Sequence, residues 1–163
     1  MGLLLALLWW VWNAAGGPEV RRLESHLRLE EATARTLDRL EGTVALHNRR
    51  VGRFGHHVEH LLIGAHAVAI LANLDGLTDA PADAPAAQRR QSDAVAMAAR
   101  GLAEMLRSPV LPVLVGDERD VIARGSSTVL VHPRHELARL LDQLGGEPAG
   151  QHALEVARAC PPW

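Results

Sequence analysis

The sequence predicts an α/β domain, a central sheet flanked by helices, preceded by an N-terminal hydrophobic helix. Three stretches carry that expectation. Val20, Leu23, Leu27, Ala34, Leu37 and Leu40 recur at helical spacing, with Arg and Glu between them. Val58–Ile63 and Ala67–Leu71 are short apolar runs parted by Gly64-Ala65-His66, which favours a pair of strands over one helix. Ala94, Ala98, Leu102 and Met105 restore helical spacing ahead of the apolar run Val110–Val115. A sheet covered by helices is the economical way to bury those faces.

Taken in chain order, Gly2–Trp12 is uninterrupted by polar side chains, and Asn13 to Pro18 break the run. A full membrane span needs roughly 20 apolar residues, so counting on to Ala15 falls just short. Trp9, Trp10 and Trp12 suit a membrane interface, and Arg21 and Arg22 would keep the following domain on the cytoplasmic side. A secretory signal would carry positive charge before the run, where only Met1 stands. The segment therefore reads as a membrane anchor through residues 2–15, with a helix buried in the core or against a partner as the alternative.

Pro18 suits the first turn of a helix running to Leu40, and Gly42 suits its stop. Thr43–Leu46 reads as a strand, and the polar, basic stretch His47–Gly55 as a turn or hairpin connection. Asp75–Pro85 is a loop punctuated by Gly76, Pro81 and Pro85. Ala86–Leu106 is a helix, and Val110–Val115 a strand that Pro112 places at an edge or an end. Ser127–Val131 is a further strand, His135–Leu144 a helix stopped by Gly145-Gly146, and Ala153–Ala159 a short helix in the tail. The domain division is 1–17 anchor, 18–146 α/β domain and 147–163 tail.

Composition sets the limits on function. Hydrophobic content of 48% and charged content of 22% belong to a folded globular chain, not a disordered one. With one Phe and no Tyr, the core must be built from Leu, Val, Ile and Ala. A net charge of -2 supplies no overall field for a polyanion, so nucleic acid is not favoured as a partner. The single Cys160 excludes an internal disulfide and is compatible with a reducing cytosol. All 17 basic residues are arginine, and the chain contains no lysine.

From about Leu29 to Leu144 the order of elements and several local sequences resemble the nuclease-related domain family called NERD, a branch of the PD-(D/E)xK nuclease fold. Glu30-Glu31-Ala32-Thr33-Ala34 lies where the family has a helical glutamate. Val58-Glu59-His60-Leu61-Leu62-Ile63-Gly64 is similar to its strand motif, with Glu in place of Asp, and Ala67–Leu71 to the next strand. Arg89-Arg90-Gln91, Pro112–Val115 and Val129–Val131 through Leu137–Leu141 resemble later elements. The resemblance implies a restriction-endonuclease-like α/β fold with a central mixed sheet.

Cleavage in such a fold uses carboxylates to hold a divalent ion that activates water and screens phosphate charge, with a lysine beside the nucleophile. The expected acidic-x-Lys positions here read Ala72-Asn73-Leu74, and no lysine elsewhere can substitute. The family's next hairpin is missing too, since only about ten residues join Leu74 to the following helix. Glu31 and Glu59 survive as remnant catalytic and metal-ligand candidates, and Asp75 is a third carboxylate that could move into the site.

Other constellations are weaker. His56-His57-Val58-Glu59-His60 spells the inverted zinc-peptidase motif, but that chemistry needs a helix, and this segment continues as a strand. The dense histidines around it read as solvated turn residues plus one neighbour of a carboxylate. Asp117-Glu118-Arg119-Asp120 reads as a solvated loop. Arg49, Arg50, Arg53 and His60 are the binding candidates, with a solvated hairpin tip as the simpler reading of the arginines.

The expectation is a catalytically degenerate module that binds or scaffolds a protein partner at the inner membrane, its domain facing the cytoplasm. No cofactor is expected; Mg²⁺ or Mn²⁺ enters only if a weak nuclease persists on Glu31, Glu59 and Asp75. A third reading makes the chain an accessory subunit of a membrane complex.

Overall fold

The computed structural model describes residue 20 and residues 23–51, 55–74, 84–116, 130–146 and 150–163. Helix α1 covers residues 23–37. Strands β1 (Val44–Val51), β2 (His56–Ile63) and β3 (Val68–Asn73) follow, then helix α2 (Ala84–Leu106) and strands β4 (Val110–Gly116) and β5 (Leu130–Pro133). A 3-10 helix over Arg134–Arg139, helix α3 (Leu140–Leu144) and helix α4 (Gly150–Ala159) complete the order.

The five strands form one sheet in the order β1-β2-β3-β4-β5. β1, β2 and β3 are an antiparallel meander, while β4 and β5 run parallel to β3, so the sheet is mixed as expected. Parallel neighbours require a crossover, and α2 supplies the one between β3 and β4. The loop between β2 and β3 is tight: the Gly64 N–H donates to the Ala67 carbonyl at 3.0 Å, leaving Ala65 and His66 at the tip.

Each sheet face has its own core. On one, Leu62, Ala69, Leu71, Val113 and Val115 pack under Leu37 of α1 and under Leu137, Leu140 and Leu144. On the other, Leu61, Ile63, Val68, Ile70 and Leu114 meet Val95, Ala98 and Leu102 of α2 and Val156 of α4. As the composition demanded, both cores are aliphatic. Side-chain alternation along β1 and β2 breaks near Asn48, whose φ of 50° is left-handed, a conformation Asn tolerates better than most residues. Beyond that step Val51 and Val58 belong to the α2 core, although Val58 shares its parity with Leu62 of the opposite core.

Several elements differ from the sequence reading. β1 runs through His47 to Val51 rather than stopping at Leu46, because cross-strand pairing with His56–His60 outweighs the polar composition. β4 is flanked on both sides, yet the pairing with β5 begins at Val113, so Pro112 lies just before that ladder starts. Residues 150–163 are part of the domain, not a separate tail, since Val156 and Cys160 are fully buried against the sheet. Val20, Leu23 and Leu27 are more than half exposed, although their spacing suggested the core. No helix among the described residues is long and apolar enough to cross a membrane; the run Gly2–Trp12 lies outside them.

Candidate functional site

Buried Thr33 and His60 converge on buried Asn73 at the end of β3. α1 presents His26, Glu30, Thr33 and Leu37 at intervals of four, three and four residues, which places them along one helix face. Leu37 and Thr33 are fully buried, so that face lies on the sheet. The β2–β3 register ends at His60↔Leu71. Beyond it, the Asn73 N–H donates to the Glu59 carboxylate at 2.8 Å.

Asn73 uses every polar atom it has. Its amide Nδ2 donates to Glu59 Oε2 at 2.7 Å and points to His60 Nε2 at 3.4 Å. Its Oδ1 accepts the Thr33 hydroxyl at 2.5 Å, and Thr33 Oγ1 accepts from Arg134 Nε at 3.2 Å. Its backbone carbonyl accepts the side-chain amide of Gln91. His60 Nδ1 meets His47 Nδ1 at 2.9 Å, and His47 Nε2 meets Asp38 Oδ1 at 3.0 Å. One tautomer assignment satisfies all of these: His60 carries its proton on Nδ1 and donates to His47, which carries its own on Nε2 and donates to Asp38. Glu59 Oε1 also lies 3.5 Å from His26 Nε2.

Burial sets the ionisation of this cluster. Desolvation lowers the His60 pKa to about 3, with His47 adding to the effect, so His60 is neutral at physiological pH. Burial also raises the Glu59 pKa; the bonds from Asn73 and the nearby His26 oppose that shift, and the charge of Glu30 adds to it. Beside Glu59, an open cleft of about 210 Å³ is lined by His56, Val58, Ile70, Ala72, Gln91 and Val95, among others.

The candidate residues fare differently. Glu59 and His60 enter the cluster. Glu31 is exposed and pairs with Arg35 on the surface, while its neighbour Glu30 is the helical carboxylate near Glu59. Arg50 lies on the β1 edge with its guanidinium 4.5 Å from the centre of the Trp163 ring, away from Glu59. Arg49 pairs with Pro162 across an isolated bridge. Asp75, Arg53 and the loop Asp117–Asp120 lie outside the described residues. The His56–His60 motif is on a strand, which removes the helical geometry of a zinc peptidase. Sequence reasoning missed the roles of His26, Thr33, Asp38 and Asn73; for His26 and Thr33 the four-three-four spacing on α1 was the available signal.

Among the described residues the donor set does not fit a divalent ion. Such ions take several hard oxygen ligands, whereas Ala72 and Leu74, which flank Asn73, carry no donor side chain, and Leu74 is 2% exposed in the α2 core. The Glu59 oxygen that Asn73 holds already accepts two bonds. Among the described residues no group of three or more His, Cys, Asp or Glu side chains is arranged to hold a metal.

No protein-family model matches the chain, and no curated protein matches it. Among solved structures it is similar to the small subunit of the heterodimeric restriction endonuclease R.BspD6I, at 15% identity and a TM-score of 0.41, over 78% of this chain and 75% of that one. A likeness at that level assigns neither ancestry nor activity.

The cluster makes a direct prediction. Asn73→Ala keeps the backbone N–H bond to Glu59 but removes the side-chain donor to that carboxylate and leaves the Thr33 hydroxyl without its acceptor. Urea denaturation should show a loss of about 2–3 kcal/mol with an unchanged slope, because the cost is that of buried polar groups left unpaired. A loss under about 0.5 kcal/mol would mean water replaces the amide freely.

Proposed function

We propose that this chain is a non-catalytic binding or scaffold module, a nuclease-related domain that has lost its cleavage chemistry. One observation carries the reading: where cleavage would need an acid and a lysine, Leu74 is packed into the α2 core and Asn73 ties up the carboxylate of Glu59. A carboxylate so held orders the fold instead of waiting for an ion. The resemblance to NERD domains, and an anchor through residues 2–15 at the inner face of a bacterial membrane, belong to the same proposal. The apolar run and its Trp residues support it.

The test is incubation of the full chain with single- and double-stranded DNA in Mg²⁺ or Mn²⁺, beside a Glu59→Ala control. No cleavage by folded protein is expected under either metal. Metal-dependent cleavage that disappears in the control would overturn the proposal and make the chain a nuclease rebuilt without lysine.

A further inference from the structure

The open cleft of about 210 Å³ lies between α2, the start of β2 and the end of β3. Its floor is apolar: Val58, Ile70, Ala72, Val95 and Ala98 line it, and all but Ala72 are buried core residues. An apolar cavity of about 150 Å³ is enough to hold a benzene ring, so this one has room for a single ring and a short head group. Glu59 and Gln91, two side chains bonded to Asn73, stand beside that floor, and His56 completes the rim.

Glu59 and Gln91 both present acceptors. The Gln91 side-chain amide donates an N–H to the Asn73 carbonyl, which can only accept, so the amide is held in one orientation and its Oε1 is left as the acceptor end. Asn73 places both of its bonds on Glu59 Oε2. Oε1 has His26 Nε2 at 3.5 Å, longer than a charge-assisted hydrogen bond. Burial raises the Glu59 pKa against both Asn73 bonds, so the carboxylate is incompletely compensated where it stands. His57, which also lines the cleft, has its ring engaged by Asn48 and Trp163.

We propose that this cleft binds a small organic cation, a primary ammonium on a compact apolar body, with the ammonium at Glu59 and Gln91 and the body on Val58, Ile70 and Val95. An ammonium carries three donors and the charge that a buried carboxylate needs opposite it. An anion would meet like charge and a wall of acceptors. A divalent metal ion would find too few hard ligands in one carboxylate and one amide oxygen. In pockets of this kind a few polar groups set the orientation and the apolar lining supplies the contact area. Such a site needs only the cleft and its acceptors, and holds whether or not the chain scaffolds a partner.

The probe is benzylamine, titrated into the isotope-labelled full chain by NMR, beside benzyl alcohol as its uncharged counterpart. Saturable shifts are expected at the amides of Ala72, Gln91 and Val95, with a dissociation constant of about 1 mM, ordinary for so small a ligand. Benzyl alcohol should bind about tenfold more weakly, because it lacks the charge. Glu59→Gln, which keeps an acceptor and removes the charge, should bring the two ligands to similar affinity. Ala94 lines the cleft yet is exposed on α2, so Ala94→Trp should block both ligands without disturbing the core. No saturable shift at about 10 mM benzylamine would overturn the proposal, as would undiminished binding to Ala94→Trp. Equal affinity of the wild-type chain for amine and alcohol would also overturn it, since the cleft would then select for size alone. A preference for the amine that survives Glu59→Gln would overturn the placement of the ammonium at Glu59.

Discussion

Gly64→Ala is expected to destabilise the protein by about 3 kcal/mol or more, at the upper end of what overpacking costs. A β-carbon at residue 64 would overlap the β-carbon and the carbonyl of Leu144. Most overpacked sites relax by moving a flexible side chain. This one cannot, because the obstacle includes backbone held from several directions. The Leu144 carbonyl accepts the His66 N–H at 3.0 Å, the Ala65 N–H donates to Gly146 at 3.0 Å, and the Leu144 side chain is fully buried. Gly64 is thus required for space, whereas Gly145, with φ of 79°, ends α3 in a left-handed conformation. Chemical denaturation of Gly64→Ala would check this, and a loss below about 1 kcal/mol would show that α3 shifts aside without strain. Gly64→Val should fail to fold.

The second large effect is a loss of stability on mild acidification. The pKa of His60 falls from an ordinary 6.5 to about 3 in the folded chain, because burial and the adjoining His47 disfavour its charged form. Above pH 6.5 His60 is neutral in both states and contributes no slope. Below that, the unfolded chain takes up a proton that the folded chain refuses, so stability falls until pH reaches about 3. At 1.36 kcal/mol per pH unit, about 2–3 kcal/mol should disappear between pH 6.5 and 4.5. Glu59 acts in the opposite sense: its raised pKa means the folded chain gains on protonating it, which offsets part of the loss. Urea melts at half-unit intervals would reveal the slope, and His60→Gln should flatten it even if that variant is less stable throughout. An unchanged slope in His60→Gln would assign the acid sensitivity to another group.

These two positions illustrate what the chain's local patterns could and could not reveal. The strand pair around Gly64 was legible, because two apolar runs and a glycine are a local signal. So were α2, β4 and the aliphatic character of the core. His47 was not: its polar neighbours read as a turn, and only the pairing His47↔His60 makes it strand. Asn73 was noted for the lysine motif it interrupts, not for what it does. Its partners Thr33, Glu59, His60 and Gln91 lie between 13 and 40 positions away along the chain, beyond any local periodicity. Glu31 and Glu30 are adjacent, and one residue of rotation on the helix decided which carboxylate lies near Glu59.

The antiparallel meander has a consequence for how the chain assembles. β1, β2 and β3 join through short connections, so their contacts form at low loop-closure cost, whereas β4 can join β3 only after the whole of α2 has been brought across. The His47–His60 pair and the Glu59–Asn73 bonds lie within that early unit, while Gln91 and Arg134 arrive from the later half. Pulse-labelled hydrogen exchange should therefore find the β2–β3 amides protected before those of β4. Simultaneous protection of all strands would indicate a nucleus that already spans the crossover.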